Sequence, residues 1–379
     1  MSEHRRLLAR RDAGRTKAPP RGRSGFTLVE LMISIAIAGV VVVGLYSLFI
    51  IQTRQFLYQD LQMEMHQNQR FAMDILTRSV RMAGFGTSGR VTGYLGSDGN
   101  VNNDLPVMTA YDGWSGGGGT DALTVVYGEP SLAMGTEVTA LKTCGTTDLQ
   151  FRAGMLDYGT RLGEFSAGEM MLCMDYASLA GMETYLWVLT GAPDAAGLVP
   201  VADATSYADY VAICPSGENL SPGMYCSRAQ VMTFYIDNST ATTGPGTEDN
   251  PVLMVDMDLN WPEGDDVPLV ENVEDLQFEY CLVDADGDLA IDDCTGAGAV
   301  WVDTFDDADG DAVQMVRMHL LVRSSRTDPK DLFSNSRPSL ANHSGALGTN
   351  PGGTDGYAYF RQVISTEVTV RNLRLQANL

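Results

Sequence analysis

The chain has little of what site chemistry is usually built from. Its four histidines, His4, His66, His319 and His343, are scattered, and no Cys-x-x-Cys pair occurs. A Cys/His metal site needs such ligands at close spacing, so that class is excluded. The P-loop and His-Glu-x-x-His patterns are also absent, and the one Gly-x-Ser-x-Gly match, Gly113-Trp114-Ser115-Gly116-Gly117, falls in a run of glycines. With them go the commonest phosphate-binding and zinc-hydrolase signatures, a glycine run is not the strand-to-helix turn that a nucleophile elbow needs, and the chain is not expected to be an enzyme. Basic residues are scarce beyond residue 25. The net charge is -23, yet the first 25 residues carry Arg5, Arg6, Arg10, Arg11, Arg15, Lys17, Arg21 and Arg23 against only Glu3 and Asp12. The remainder therefore carries about -29. So acidic a surface lacks the Lys and Arg clusters that grip phosphates, and no nucleic acid partner is expected. A solvated acidic surface also accounts for the many carboxylates without paired acid/base work.

Charge is missing most completely between Phe26 and Ile51, where Glu30 is the sole side chain charged at pH 7. As a helix this run is about 39 Å long, enough to cross a hydrocarbon core of about 30 Å. A carboxylate near one end of such a span is costly and marks a functional position. The basic flank is held on the cytoplasmic side, so everything after residue 52 should face outward. No proline interrupts the stem, though Gly39 and Gly44 bracket the β-branched run Val40 to Val43, which has low helix propensity.

The helix should continue past the membrane. Leu57, Leu61, Met65, Ala72, Ile75, Leu76, Ser79 and Ala83 fall on one stripe, with Arg70, Asp74 and Arg78 at i, i+4 on another. Gly84-Phe85-Gly86 should end it. Beyond lie short runs of β-forming residues between Gly, Asp, Asn and Pro clusters. Strands are expected at 122–127, 138–143, 170–174, 184–189, 210–213, 231–236, 252–257, 276–283, 313–322 and 363–375. Gly116–Gly119 and Ser344–Gly356 read as surface loops. The fold class is α+β: a long N-terminal helix, first transmembrane and then amphipathic, packed on a mainly antiparallel β-sheet head. The divisions are 1–25 as a leader, 26–52 as the membrane helix, 53–84 as its amphipathic continuation and 85–379 as the head.

Cysteine is absent until residue 144. Cys144, Cys173, Cys214, Cys226, Cys281 and Cys294 all lie beyond the span, an even number in an oxidising compartment, which reads as disulfides. Proximity in sequence favours Cys214–Cys226 and Cys281–Cys294, leaving Cys144–Cys173. The pentapeptide Asp-Ala-Asp-Gly-Asp occurs twice, giving Asp284, Asp286 and Asp288, with Asp292 following, and then Asp307, Asp309 and Asp311. Two readings stand: solvated turns in an acidic protein, or loops whose alternating oxygens converge on Ca²⁺, which takes six to eight such ligands. No other cofactor is expected.

Gly25-Phe26-Thr27-Leu28-Val29-Glu30 before an apolar helix resembles the class III signal of type IV prepilins. That resemblance implies cleavage after Gly25 by a prepilin peptidase, N-methylation of Phe26, and pairing of Glu30 with a neighbouring subunit's terminal ammonium. A narrower resemblance is carried by Asn68-Gln69-Arg70-Phe71-Ala72-Met73-Asp74-Ile75-Leu76 with Arg81 to Phe85. It continues in Val273 to Tyr280, Val316 to Ser324, and Arg361 to Asn372. These segments are similar to the PilW-type minor pilins. The implied role is assembly of a type IV pilus, in initiation or at the tip. The implied partners are other minor pilins, the major pilin, the prepilin peptidase, the inner membrane and a large tip adhesin. The implied location is the inner membrane with the head in the periplasm, then the pilus. A minor pseudopilin of a type II secretion system and a tip adhesin are the alternatives. Residues 87 to 265 carry no such resemblance.

A residue without a Cβ lets a peptidase approach the backbone at the cut. Gly25→Arg is therefore expected to leave a precursor heavier by the whole leader. Intact-mass spectrometry checks this, and a wild-type protein still bearing residues 1–25 would refute the prepilin reading.

Overall fold

The computed structural model describes residues 25–94, 103–114, 119–129, 134–135, 148–150, 165–175, 183–192, 198–200, 225–238, 250–257, 266–283, 294, 299–306, 309–310, 312–327, 340–341 and 359–372. The chain divides into two units, Met1–Gln59 and Asp60–Leu379. A single helix, α1 (Leu28–Met82, 55 residues), supplies residues to both.

In the first unit α1 is exposed, and from Leu31 to Ile51 it carries no charge on any side. It runs unbroken through Gly39, Val40 to Val43 and Gly44. Ser34, Ser47 and Thr53 each turn a hydroxyl back onto the carbonyl four residues earlier, at 2.7, 3.0 and 2.9 Å. That bond leaves no lone donor on an apolar surface. The helix is long and apolar enough to cross a membrane by length and composition.

In the second unit α1 turns one stripe inward. Met65, Gln69, Ala72, Met73, Leu76, Ser79 and Val80 are buried, while Arg70, Asp74 and Arg78 stay exposed. Leu57 is exposed and Leu61 and Ile75 only half-buried. The buried stripe is thus displaced slightly from the expected one, toward Gln69, Met73 and Val80. Burying each large apolar side chain stabilises by about 1.5–3 kcal/mol.

The head is antiparallel throughout the described residues. Its strands are β1 (Arg90–Tyr94), β2 (Asn103–Pro106), β3 (Met108–Trp114), β4 (Thr120–Gly128), β5 (Met134–Gly135), β6 (Asp148–Gln150), β7 (Met170–Asp175) and β8 (Glu183–Val188). They continue as β9 (Leu198–Pro200), β10 (Tyr225–Asp237), β11 (Val252–Asp256), β12 (Val267–Glu271), β13 (Val273–Leu282), β14 (Val313–Thr327) and β15 (Tyr359–Thr369). One eight-stranded sheet runs β12-β11-β10-β4-β3, with β5 and β7 also on β10 and β8 on β7. β10 is shared: Tyr225 to Arg228 pair with β7, and Ala229 to Phe234 with β4. A second sheet runs β13-β14-β15, and β1-β2 and β6-β9 form two-stranded ribbons.

Asn272 separates β12 from β13 and passes the chain from one sheet to the other. Its φ of 63° is left-handed, a conformation Asn tolerates, and its carbonyl accepts the Arg323 N–H at 3.0 Å. Asp121 links the sheets again: its carboxylate accepts the Phe278 N–H at 2.8 Å and the Gly113 N–H at 3.1 Å. Residues of α1 and of both sheets form one core, including Leu76, Leu123, Phe234, Phe278 and Met318.

Several expectations change. The expected strands at 138–143 and 210–213, and the loop at 344–356, lie outside the described residues, as do residues 116–118 of the glycine loop. β3 was hidden by Asp112-Gly113, a pair that reads as a turn. In the fold that pair sits where the β3–β4 register shifts, with Gly113 at φ 62°. The last strand starts earlier and stops at Thr369 because the chain turns at Arg371 and Asn372.

Cys281 bonds Cys294 as expected. Cys226 bonds Cys173, directly opposite it on β7, so the expected pairs Cys214–Cys226 and Cys144–Cys173 are incorrect. Short sequence separation misled here, because the 53-residue excursion is closed by strand pairing. Cys144 and Cys214 lie outside the described residues. Non-reducing peptide mapping is expected to give linked peptides Cys173–Cys226 and Cys281–Cys294. A Cys214–Cys226 peptide would overturn this pairing. Cys173→Ala with Cys226→Ala should cost about 2–5 kcal/mol of stability in denaturant titration.

Candidate functional site

The first turn of α1 is built as a capping box. Thr27 Oγ1 accepts the Glu30 N–H at 3.3 Å, while Glu30 Oε2 accepts the Thr27 N–H at 2.9 Å and its hydroxyl at 3.0 Å. Thr-x-x-Glu is the sequence form of this motif, and it satisfies two otherwise orphaned donors at a helix start. Glu30 thus lies where the helix dipole favours a negative charge. Gly25 and Phe26 precede the helix and are exposed. A Cβ on Gly25 would meet nothing within 4 Å, so the chain's own packing does not demand glycine there. Thr27 was the functional residue overlooked in the sequence, although its spacing to Glu30 was visible.

The Asp-rich segments fare differently. Asp284, Asp286, Asp288, Asp292, Asp307 and Asp311 lie outside the described residues. Asp309 is exposed in a turn, with its N–H donating to Asp306 O and its carbonyl accepting from Ala312 N–H, both at 2.8 Å. Gly310 beside it is buried, and a Cβ there would collide with Met108 O and Pro106 Cβ. Glycine is therefore required at Gly310 by packing against the β2–β3 corner. Among the described residues no three His, Cys, Asp or Glu side chains are grouped to hold a metal.

A polar rank crosses the outer face of β13, β14 and β15. Arg317 donates to Glu279 at 3.0 Å and, through Nε and Nη2, to Glu367 at 3.0 and 2.9 Å. His319 contacts Glu279 at 2.9 Å and Ser365 at 2.7 Å. The guanidinium of Arg317 lies 3.9 Å from the centre of the Trp301 ring. Although serine, histidine and glutamate stand in line, Ser365 lies opposite His319 on the neighbouring strand while Glu279 reaches His319 diagonally from its place opposite Arg317, with which it is shared. This is the bonding of a cross-strand polar ladder. Burial pushes Glu279 up, but the hydrogen bonds from His319 and Arg317 outweigh it and hold the carboxyl below the ordinary range. A second ion group is buried. Arg361 donates to Glu274 at 2.7 and 2.9 Å, Arg323 lies 3.6 Å from the same carboxylate, and both arginines sit over Tyr359.

The end of α1 is closed from far away in sequence. Asn372 Nδ2 donates toward the carbonyls of Arg81, Met82 and Ala83 at 3.3, 3.2 and 3.3 Å. Gly84, at φ 75°, turns the chain so that its N–H meets Val126 O at 2.9 Å.

Residues 20–46 match the family model described as the prokaryotic N-terminal methylation motif. Residues 233–372 match the model described as Type IV Pilus-assembly protein W. Over residues 233–372 the chain is similar to the PilW-type pilus-assembly proteins. The PilW-matched region begins within β10, earlier than the resemblance seen in sequence, and ends on the capping residue Asn372. It contains Asn272, both ion groups and the Cys281–Cys294 bond. Residues 68–85, read as part of the same resemblance, fall in neither matched range. Among solved structures, a type IV-like pilin from Thermus thermophilus is 12% identical, covering 57% of this chain and 94% of that chain with a TM-score of 0.20. The comparison with curated proteins gives no match. The two family matches support a pilin role and, with it, membrane anchoring, prepilin-peptidase processing and contact with other pilus components.

Because its carboxyl is depressed in the folded state, Glu279 contributes stability above the ordinary glutamate value of 4.5. That contribution is lost as pH falls through the lower folded value. Glu279→Gln should therefore lower the melting temperature at pH 7, with the difference from wild type shrinking below about pH 4.5. An equal difference at pH 7 and pH 3 would contradict it.

Proposed function

We propose that this chain is a minor pilin that helps to start or cap a type IV pilus. In this reading a prepilin peptidase cuts after Gly25 and methylates Phe26, and the head is held in the periplasm before assembly. The observation that carries it is the exposed apolar span from Phe26 to Ile51, whose sole carboxylate sits in a capping box at the expected cut.

Cleavage creates an ammonium on Phe26 of each subunit. Two isolated charges in lipid are each costly, and pairing them in one register removes much of that cost. Both Thr27 bonds fall on Glu30 Oε2, so Oε1 is free to receive a neighbour's ammonium while the helix start stays capped. Other minor pilins and the major pilin are then the partners. A minor pseudopilin would share the leader, but the match over residues 233–372 favours the pilus.

Glu30→Gln keeps an oxygen for Thr27 and removes the charge. It should be processed normally yet enter sheared filaments about tenfold less than wild type, a loss equivalent to about 1.4 kcal/mol of pairing. Wild-type incorporation would sink the pairing role. Deleting the chain should reduce filament number; unchanged filaments with only attachment lost would refute an assembly role.

A further inference from the structure

The cap on α1 has a second effect: it fixes two arginines side by side. Asn372 binds the carbonyls of Arg81, Met82 and Ala83, which brings the preceding Arg371 to the end of the helix. Arg81, Glu367, Thr369 and Arg371 line one concavity of about 370 Å³. All four residues are exposed. Glu367 is engaged by Arg317 through two bonds to its Oε1. Neither the Arg81 nor the Arg371 guanidinium makes an ion pair with a described residue.

The helix dipole accounts for one arginine in the last turn, since it stabilises a cation there. It does not account for a second held by another segment over the same hollow. Two like charges around one concavity repel unless an anion lies between them, and the planar guanidinium fork matches a carboxylate. The setting sharpens the contrast, because this cationic spot stands on a chain that carries about -29 beyond its leader.

We propose that the Arg81–Arg371 concavity docks an acidic loop of a neighbouring pilin-type subunit. A carboxylate enters between the two guanidiniums, and the Thr369 hydroxyl donates to it. This rests on the pilus-assembly reading above. A partner with complementary charge would gain mainly specificity and association rate.

The test uses the full-length protein in its native membrane, with photoreactive benzoylphenylalanine in place of Arg78, one helical turn before Arg81. The expected product is an adduct with another pilin-type subunit, mapping by mass spectrometry to a peptide bearing adjacent Asp or Glu. Arg81→Glu with Arg371→Glu should cut its yield about tenfold or more, as like charges then face each other. Reversing the mapped acidic residues on the partner should restore it. Should the double variant unfold, Arg371→Gln and a salt titration of the wild-type adduct read the same interaction. A yield unchanged by the Arg371 variant and by salt overturns the proposal, as does an adduct only with lipid or with the chain itself. If the chain still co-sediments with sheared filaments in those cases, the docking site alone is refuted. Its absence from filaments altogether would refute the pilus reading as well.

Discussion

Burial of the Met65, Ala72, Met73, Leu76 and Val80 stripe of α1 against strands of both large sheets is the contact on which the head depends. Neither sheet could bury its inner face alone. β4, β10 and β11 contribute Leu123, Phe234 and Leu253, and β13 and β14 contribute Leu276, Phe278, Met318 and Leu320, to one core that the helix completes. Ala72, Met65 and Met73 are all buried in that core, the methionines offering flexible side chains that adapt to irregular surroundings. The same helix carries no charge from Leu31 to Ile51 and is amphipathic from Asp60 on. The composition of one element thereby changes solvent along its length, from lipid to a protein core.

Joining two sheets under one helix leaves polar groups where water cannot reach them, and side chains answer several of these. Asp121 accepts the Phe278 N–H at the junction, and Gln277 donates to Asp275 at 2.9 Å inside the same strand. Glu274 is buried, which would be costly for a lone carboxylate, but the fork of Arg361 gives it two bonds and Arg323 adds a second positive charge. Tyr359 covers both guanidiniums with its ring face. Since the three members come from β13, β14 and β15, the ion group also records the register of that sheet.

What could be read from sequence follows the range of the interaction. The helix, its glycine terminator and the central strands were legible because periodicity and turn chemistry are local. The wet face of β14 was legible too: Met315, Arg317 and His319 are half-buried, whereas Val316, Met318 and Leu320 are buried. The Cys173–Cys226 bond was not, because its partners meet through the pairing of β7 with β10 and not through proximity along the chain. The Asn372 cap was equally hidden, acting on Ala83 across 289 residues. β12 carries Pro268 and sits at the edge of its sheet, the position where proline is tolerated, so its composition argued against a strand that exists. Gly310 lies in a segment that the sequence left open between a solvated turn and a calcium loop; its role is decided by Met108 and Pro106, which no spacing reveals.

The two ends of α1 are closed by different kinds of partner. At Glu30 the cap is supplied from within three residues, so the first turn needs no help from the head. At Met82 the carbonyls are satisfied by Asn372 and the chain leaves through Gly84 onto the edge of β4. A helix start that is complete by itself suits a segment surrounded by lipid, where every donor must be met internally. A helix end tied to a residue near the other terminus makes the last turn conditional on the folded head. Local unfolding of the segment after β15 would uncap α1 and separate Arg371 from Arg81 together, so the order of that tail and the geometry of the basic concavity are one property.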